Sequence, residues 1–151
     1  MLIRKANLGD LEEIVDFNLK LAQETENEKL NRNIVRNGVQ AVLNDNQKGF
    51  YLVAENKADE KELVGQLMIT FEWSDWRNKC FWWIQSVYVD ERYRNQEVFS
   101  SLYREVIKTA KSRKDISRLR LYVEKHNVKA KQVYESLGLK KTQYEVYELP
   151  L

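Results

Sequence analysis

Apolar positions along the chain recur with two periods. Leu2 to Lys5 reads as a first strand. Asn7 is a candidate helix cap with Asp10 three residues on, and Leu11, Ile14, Val15, Leu21 and Ala22 then follow at helical spacing to about Thr25. A polar stretch, Glu24 to Arg32, precedes a second helix carrying Ile34, Val35, Val39, Val42 and Leu43. Asn44-Asp45-Asn46 with Gly49 marks a turn. Phe50 to Glu55, Leu63 to Trp73 and Phe81 to Val89 read as strands, separated by polar turns at 56–61 and 74–79. Val98, Leu102, Val106, Ile107 and Ala110 mark a third helix. Leu119, Leu121 and Val123 alternate with Arg118, Arg120 and Tyr122, the period of a half-buried strand. Ala130, Val133, Tyr134 and Leu137 give a short helix ended by Gly138, and Leu139 to Leu149 is expected to close the chain as a last strand.

The expected order is β-α-α-β-β-β-α-β-α-β. Hairpin-linked strands followed by two strand–helix–strand crossovers predict an α/β (α+β) domain, a single mixed central sheet flanked by helices. Both crossovers should be right-handed. No linker, repeat or low-complexity tract interrupts residues 1–151, and the one proline is Pro150, so a single domain is expected.

Composition narrows the function classes. Apolar residues make up 43% and charged residues 32%, a globular balance. The net charge of +2, with both signs interleaved, gives no electrostatic case for a nucleic-acid partner. One cysteine, Cys80, cannot form an intrachain disulfide, and with no signal-like leader this points to a reducing, cytoplasmic setting. No run approaches the ~18 apolar residues of a membrane helix. One histidine and one cysteine cannot make a typical zinc site, so no metal is expected, and His126 reads as an exposed loop residue. There is no Gly-x-Ser-x-Gly elbow and no Gly-Lys-Ser/Thr phosphate loop.

The stretch from Trp83 to Leu102 carries the most chemistry. A strand ending Val87-Tyr88-Val89 runs into the basic turn Asp90-Glu91-Arg92-Tyr93-Arg94-Asn95-Gln96-Glu97 and then directly into an amphipathic helix. A helix start presents unpaired N–H groups and the positive end of the dipole, a ready anion site, and Arg94 adds a mobile positive charge. The register Arg94-Asn95-Gln96-Glu97-Val98-Phe99 resembles the pyrophosphate-binding motif of the GNAT superfamily, the acetyl-coenzyme-A-dependent N-acetyltransferases, in which Arg/Gln-x-x-Gly-x-Gly/Ala follows a Val-x-Val strand end. Downstream, Asn127, Ala130, Tyr134 and Gly138-Leu139 resemble the same family's Asn-x-x-Ala…Tyr…Gly-Phe segment. With the element order, the resemblance spans essentially the whole chain and implies the GNAT fold.

The resemblance also implies roles. In the family the fourth and fifth strands splay apart at the reaction centre. Val87, Tyr88 and Val89 would hold the cofactor arm by their backbone, the segment Arg94, Asn95, Gln96, Glu97, Val98 and Phe99 its pyrophosphate, and Asn127, Lys131 and Tyr134 would complete the acetyl-coenzyme A site. Tyr134 would also be the general acid; a phenol with pKa near 10 stays protonated at neutral pH and can reprotonate a departing thiolate. Both glycines of the motif are replaced, by Glu97 and Phe99. A carboxylate about 6 Å from a pyrophosphate charge costs ~3 kcal/mol at an effective dielectric of 20. Glu97 is alternatively a favourable acid in a helix's first turn, and Phe99 can turn its ring into the core.

For the general base, Glu72 lies among aromatics at a strand end, where a raised pKa would suit it, and a plain solvent-facing role is its alternative. Trp73, Asp75 and Trp76 beside a turn, with Gln85 on the next strand, could wall an acceptor pocket, with a dimer contact the alternative for Trp73 and Trp76, whereas Trp82 or Trp83 should pack in the core. The reading implied is transfer of an acetyl group from acetyl-coenzyme A to a primary amine of a small molecule or peptide, with no metal, nucleic acid or membrane. Its alternative is a degenerate GNAT domain with impaired coenzyme binding that serves as a binding or assembly module. Pairing into a homodimer through sheet edges is left open.

Overall fold

A computed structural model gives the fold, and the structure describes residues 1–58 and 61–151. Within the expected turn at 56–61, Asp59 and Glu60 lie outside the described residues. The chain forms two compact units, Met1–Leu121 and Tyr122–Leu151.

The first unit holds β1 (Leu2–Lys5), α1 (Leu11–Glu26), α2 (Arg32–Asn44), β2 (Phe50–Glu55), β3 (Leu63–Ser74), β4 (Lys79–Val89), α3 (Val98–Ser112) and β5 (Ile116–Leu121), with short 3-10 turns at Leu8–Asp10 and Glu91–Tyr93. The sheet order is β1-β2-β3-β4-β5. Neighbours from β1 to β4 are antiparallel, and β4 pairs with β5 in parallel through the α3 crossover. The central strands are covered on both faces. Gly65 and Gln66 are neighbours on β3, so their side-chain positions face opposite ways. Gln66 reaches Asn18 of α1, whereas a Cβ on Gly65 would lie 2.7 Å from Val98 Cγ1 at the start of α3. Glycine at this position is what lets α3 seat against the sheet. On the other face, Leu11, Ile14, Val15 and Phe17 of α1 and Val39 of α2 pack over Tyr51, Val53, Leu63 and Tyr88. Trp82, not Trp83, is the tryptophan sealed in the core.

The second unit contains α4 (Val128–Ser136), opened by the Asn127 side chain, which accepts from the Ala130 N–H at 3.1 Å. Gly138, at φ +92°, supplies the left-handed turn after the helix. The last strand expected at Leu139 to Leu149 does not form: residues 139–151 hold no strand, and the second crossover expected from the pattern is therefore missing. Alternation only proposes a strand. A ladder partner must complete it.

The first turn of the chain is clamped electrostatically. Asn7 Oδ1 accepts from Gly9 N and Asp10 Oδ2 accepts from Asn7 N, the capping box foreseen in the sequence. Arg4 donates to both Asp10 oxygens at 2.8 Å and to Glu55 at 2.7 Å, tying β1 to β2 and to the start of α1. Burial pulls the Asp10 pKa up, but Arg4 and the Asn7 amide outweigh it, so the carboxyl sits below its ordinary value. A depressed native pKa stabilises the fold above the unfolded value near 3.9, and that contribution is lost as pH falls through the native pKa. Asp10→Asn should therefore cost about 2–3 kcal/mol at neutral pH. In thermal melts followed by circular dichroism, the gap between variant and wild type should close below about pH 4.

Candidate active site

The site is built around an irregularity in β4. Gln66 pairs with Tyr88 and Met68 with Gln85, so two steps on β3 face three on β4. The extra residue is a β-bulge, and Ser86 absorbs it with φ +51°. The bulge turns the Ser86 carbonyl toward Gln66, whose Nε2 donates to it at 3.1 Å and to Asn18 Oδ1 at 3.0 Å. Asn18 in turn donates to the Tyr51 hydroxyl at 3.3 Å, and burial pushes the Tyr51 phenol up.

Pairing of β4 with β5 ends at Ile84–Leu121. Beyond it, residues 85–89 run on without a β5 partner. This opens one backbone edge of β4 next to the bulge. The chain then leaves through Asp90, whose N–H donates to Val64 O and whose carboxyl is held below its ordinary pKa by Arg92. Asn95 and Glu97 both take left-handed φ, +62° and +61°. They curl the loop so that α3 begins at Val98 with its N-terminus beside the strand end. Glu97 is the N-cap residue and makes no side-chain cap hydrogen bond. It adopts a conformation that suits glycine, at a cost of about 1 kcal/mol for a residue with a Cβ. The expectation that it serves as an acid within the first turn is corrected accordingly. Phe99 is half-buried, its ring 6.0 Å from that of Tyr103 one turn on, and Val98 is the residue sealed beneath the helix.

Arg94 is already engaged. Its Nε donates to Val89 O at 3.0 Å, its Nη2 to Glu24 Oε2 at 2.7 Å, and the guanidinium lies over the Tyr88 ring at 5.5 Å. The Tyr88 hydroxyl donates to the other Glu24 oxygen at 3.1 Å. Burial, then the Glu24 carboxylate, pushes the Tyr88 phenol up. Gln96 donates to Arg92 O, which fixes the loop from within.

In the second unit, Asn127 caps α4 and Lys131 donates to the carbonyl of Lys125, both within the same turn and helix. Tyr134 is half-buried on α4, and burial raises its pKa, so the phenol is protonated throughout the neutral range.

Other expected site residues lie elsewhere. Glu72 is opposite Phe81, four residues along β3 from Met68, the partner of Gln85, which is about 14 Å at ~3.4 Å per residue. Its side chain is 45% exposed, accepts from Trp83 Nε1 at 3.2 Å and pairs with Arg120 at 3.5 Å. The structure thus does not bring Glu72 to the β4 opening. Trp73 and Trp76, 61% and 87% exposed, sit with Asp75 at the far hairpin end of the same strands. Gln85 does reach it, with its amide tied to Thr70 Oγ1 at 2.5 Å. Asn18, Tyr51, Gln66 and Ser86 are not singled out by the sequence. Each sits inside a helix or strand pattern and carries no local motif; only the bulge makes them neighbours.

Three comparisons bear on this geometry. The sequence profile of the acetyltransferase (GNAT) family matches residues 11–139. A possible acetyltransferase from Clostridium difficile 630 is 43% identical, superposes with a TM-score of 0.93, and the match covers 99% of this chain and 97% of that one. A probable acetyltransferase of 24% identity superposes at 0.87 over 100% and 98% of the two chains. The ribosomal-protein-alanine N-acetyltransferase of Brucella melitensis biovar Abortus 2308, 16% identical, shares the fold at 0.77 over 99% and 98%. No curated protein matches the chain. A five-stranded mixed sheet, a bulged fourth strand parting from the fifth and a turn onto a helix N-terminus thus coincide with a profile match over most of the sequence: the chain belongs to the acetyltransferase (GNAT) family.

Proposed function

We propose that the chain is an N-acetyltransferase that moves an acetyl group directly from acetyl-coenzyme A to a primary amine of a small molecule or peptide. The observation that carries this reading is the edge of β4 at 85–89, which has no β5 partner among the described residues and leads into the turn at the N-terminus of α3. Extended backbone there suits an amide-bearing arm, and helix-terminal N–H groups suit a pyrophosphate. Acetyl-coenzyme A supplies the activated thioester. The chain's residues orient it: Val87, Tyr88 and Val89 through their backbone, residues 94–99 at the phosphates, and Asn127 and Lys131 at the arm. A backbone N–H on β4 stabilises charge on the carbonyl oxygen, and Tyr134 holds the proton destined for the thiolate.

Two features of the loop oppose tight donor binding and support the second reading, a binding or assembly module. They are the Glu97 carboxylate beside the helix N-terminus and the Glu24 carboxylate that occupies Arg94. Glu24 and Arg94 are each about two-fifths exposed, 41% and 43%, so their pair is worth about 0.2–1 kcal/mol.

Melting with and without acetyl-coenzyme A separates the readings. At a hundredfold excess over the dissociation constant, linkage stabilises the fold by about 2.7 kcal/mol, a rise of roughly 5–10 °C for a domain of this size. No shift at millimolar donor would overturn the enzyme reading. By calorimetric titration, Glu24→Gln should tighten donor binding about two- to fivefold and Arg94→Ala weaken it about tenfold. Glu97→Gly should both tighten it and raise the melting temperature of the free protein, since it removes a carboxylate and a left-handed strain together. Tyr134→Phe should lower kcat by about a hundredfold or more with little change in the KM for the donor.

A further inference from the structure

Among the described residues, Gln66 is the one polar side chain with no exposure at all. Its cross-strand neighbours, Val53 and Tyr88, belong to the apolar core under α1. Burying an amide there costs stability wherever it goes unbonded, and Gln66 Oε1 has no hydrogen-bond partner among the described residues. Packing does not account for the choice, since leucine fills a similar space with no polar atom to satisfy. What the amide does is orient. Asn18 Nδ2 donates to the Tyr51 hydroxyl at 3.3 Å, which turns Asn18 Oδ1 toward Gln66. Gln66 Nε2 donates to that oxygen at 3.0 Å and to Ser86 O at 3.1 Å. Turned over, the amide would set Oε1 against both oxygens, so the network admits one orientation. The Ser86–Val87 peptide is trans, and a planar trans unit points its N–H opposite to its C=O. Drawing the Ser86 oxygen toward Gln66 on β3 therefore turns the Val87 N–H to the other side of β4, where the strand has no β5 partner beyond Ile84 among the described residues.

On the acetyltransferase reading above, on which this rests, we propose that Gln66 is a positioning residue: through the Ser86–Val87 peptide it aims the Val87 N–H at the oxygen of the donor's thioester carbonyl. When the amine nitrogen bonds to the carbonyl carbon, the π electron pair moves onto that oxygen, and the N–H stabilises it there. The pair then returns, the C–S bond breaks and the thiolate leaves. A donor aligned in advance is worth about a hundred- to a thousandfold in kcat, because it need not reorganise as charge develops. Ser86 at φ +51° would relax if its carbonyl were released, so the aim depends on the Gln66 bond. Asn18 from α1 and Tyr51 from β2 add the anchors behind it, so one peptide is fixed by three regular elements of the sheet and its covering helix.

Assigned backbone amide spectra of the full chain, saturated with acetyl-coenzyme A or with coenzyme A, test this alongside isotope-edited infrared spectra of the bound thioester. No acceptor amine is needed. In the wild type the Val87 amide proton should move downfield with acetyl-coenzyme A and not with coenzyme A, and the bound carbonyl should absorb at lower frequency than in water. Gln66→Leu should abolish both shifts, with donor affinity by calorimetry falling no more than about tenfold, the worth of one hydrogen bond. Asn18 is only half-buried, and Asn18→Leu should weaken both shifts without removing them, because Gln66 keeps its bond to Ser86 and loses the acceptor that sets its amide. A wild-type Val87 amide that does not distinguish the two coenzymes overturns the proposal, whether or not Gln66→Leu folds. So does a carbonyl frequency that is the same in the wild type and the folded variants, which makes Gln66 a structural residue of the core. In both of these outcomes the donor is bound and the acetyltransferase reading stands. Failure of the wild type to bind acetyl-coenzyme A overturns that reading and the role of Gln66 with it.

Discussion

The bulge in β4 is the constraint on which the rest of the first unit depends. One extra residue, taken up by Ser86 at positive φ, rotates the strand so that its first half pairs with β5 and its second half does not. A left-handed serine is unfavourable on its own, and the fold fixes it by buried hydrogen bonds. The fully buried Gln66 amide bridges Ser86 O and Asn18, and Asn18 reaches Tyr51, so α1, β2, β3 and β4 all hold the kink in place. Irregular backbone of this kind survives only where its surroundings over-determine it, and here those surroundings are the sheet and α1 together.

The packing on the two sheet faces then aims the opening. Gly65 lets α3 approach β3, and this closeness draws the turn at 90–97 across the end of β4. On the opposite face, α1 brings Glu24 to Tyr88 and Arg94. The loop cation is thus tethered at both ends, to the Val89 carbonyl and to an acid from a distant part of the chain. An arginine held this way is pre-positioned at the strand end, and a competing anion must displace a half-exposed carboxylate of modest worth. Glu97 in a glycine conformation tells the same story in the backbone: the curl of the loop is retained at about 1 kcal/mol of strain although the residue that would relieve it is absent.

Most elements were legible because their signals are local. The capping box at Asn7 and Asp10, the apolar stripe of α1, the strand runs of β2 to β4 and the Gly138 turn each rest on residues within one or two turns of one another. So does the strand–turn–helix unit at 85–102, whose residue types carried the family resemblance. The Glu72, Trp73, Asp75 and Trp76 cluster lies toward the hairpin end of β3 and β4, since proximity in sequence to an aromatic hairpin says nothing about which end of a long strand meets the bulge.

The sequence by itself determined the periods, the caps, the order of elements up to α4 and the anion-binding turn, since these follow from side-chain spacing and helix-end chemistry. Only the tertiary structure decided three things. It placed the extra residue of β4 at Ser86, because a bulge is a mismatch between two strands and neither strand records it alone. It joined Glu24 to Arg94 across seventy positions, because long-range ion pairs depend on how helices seat on the sheet. And it gave no strand at Leu139 to Leu149, because alternation makes a segment competent for pairing while the partner strand must come from elsewhere.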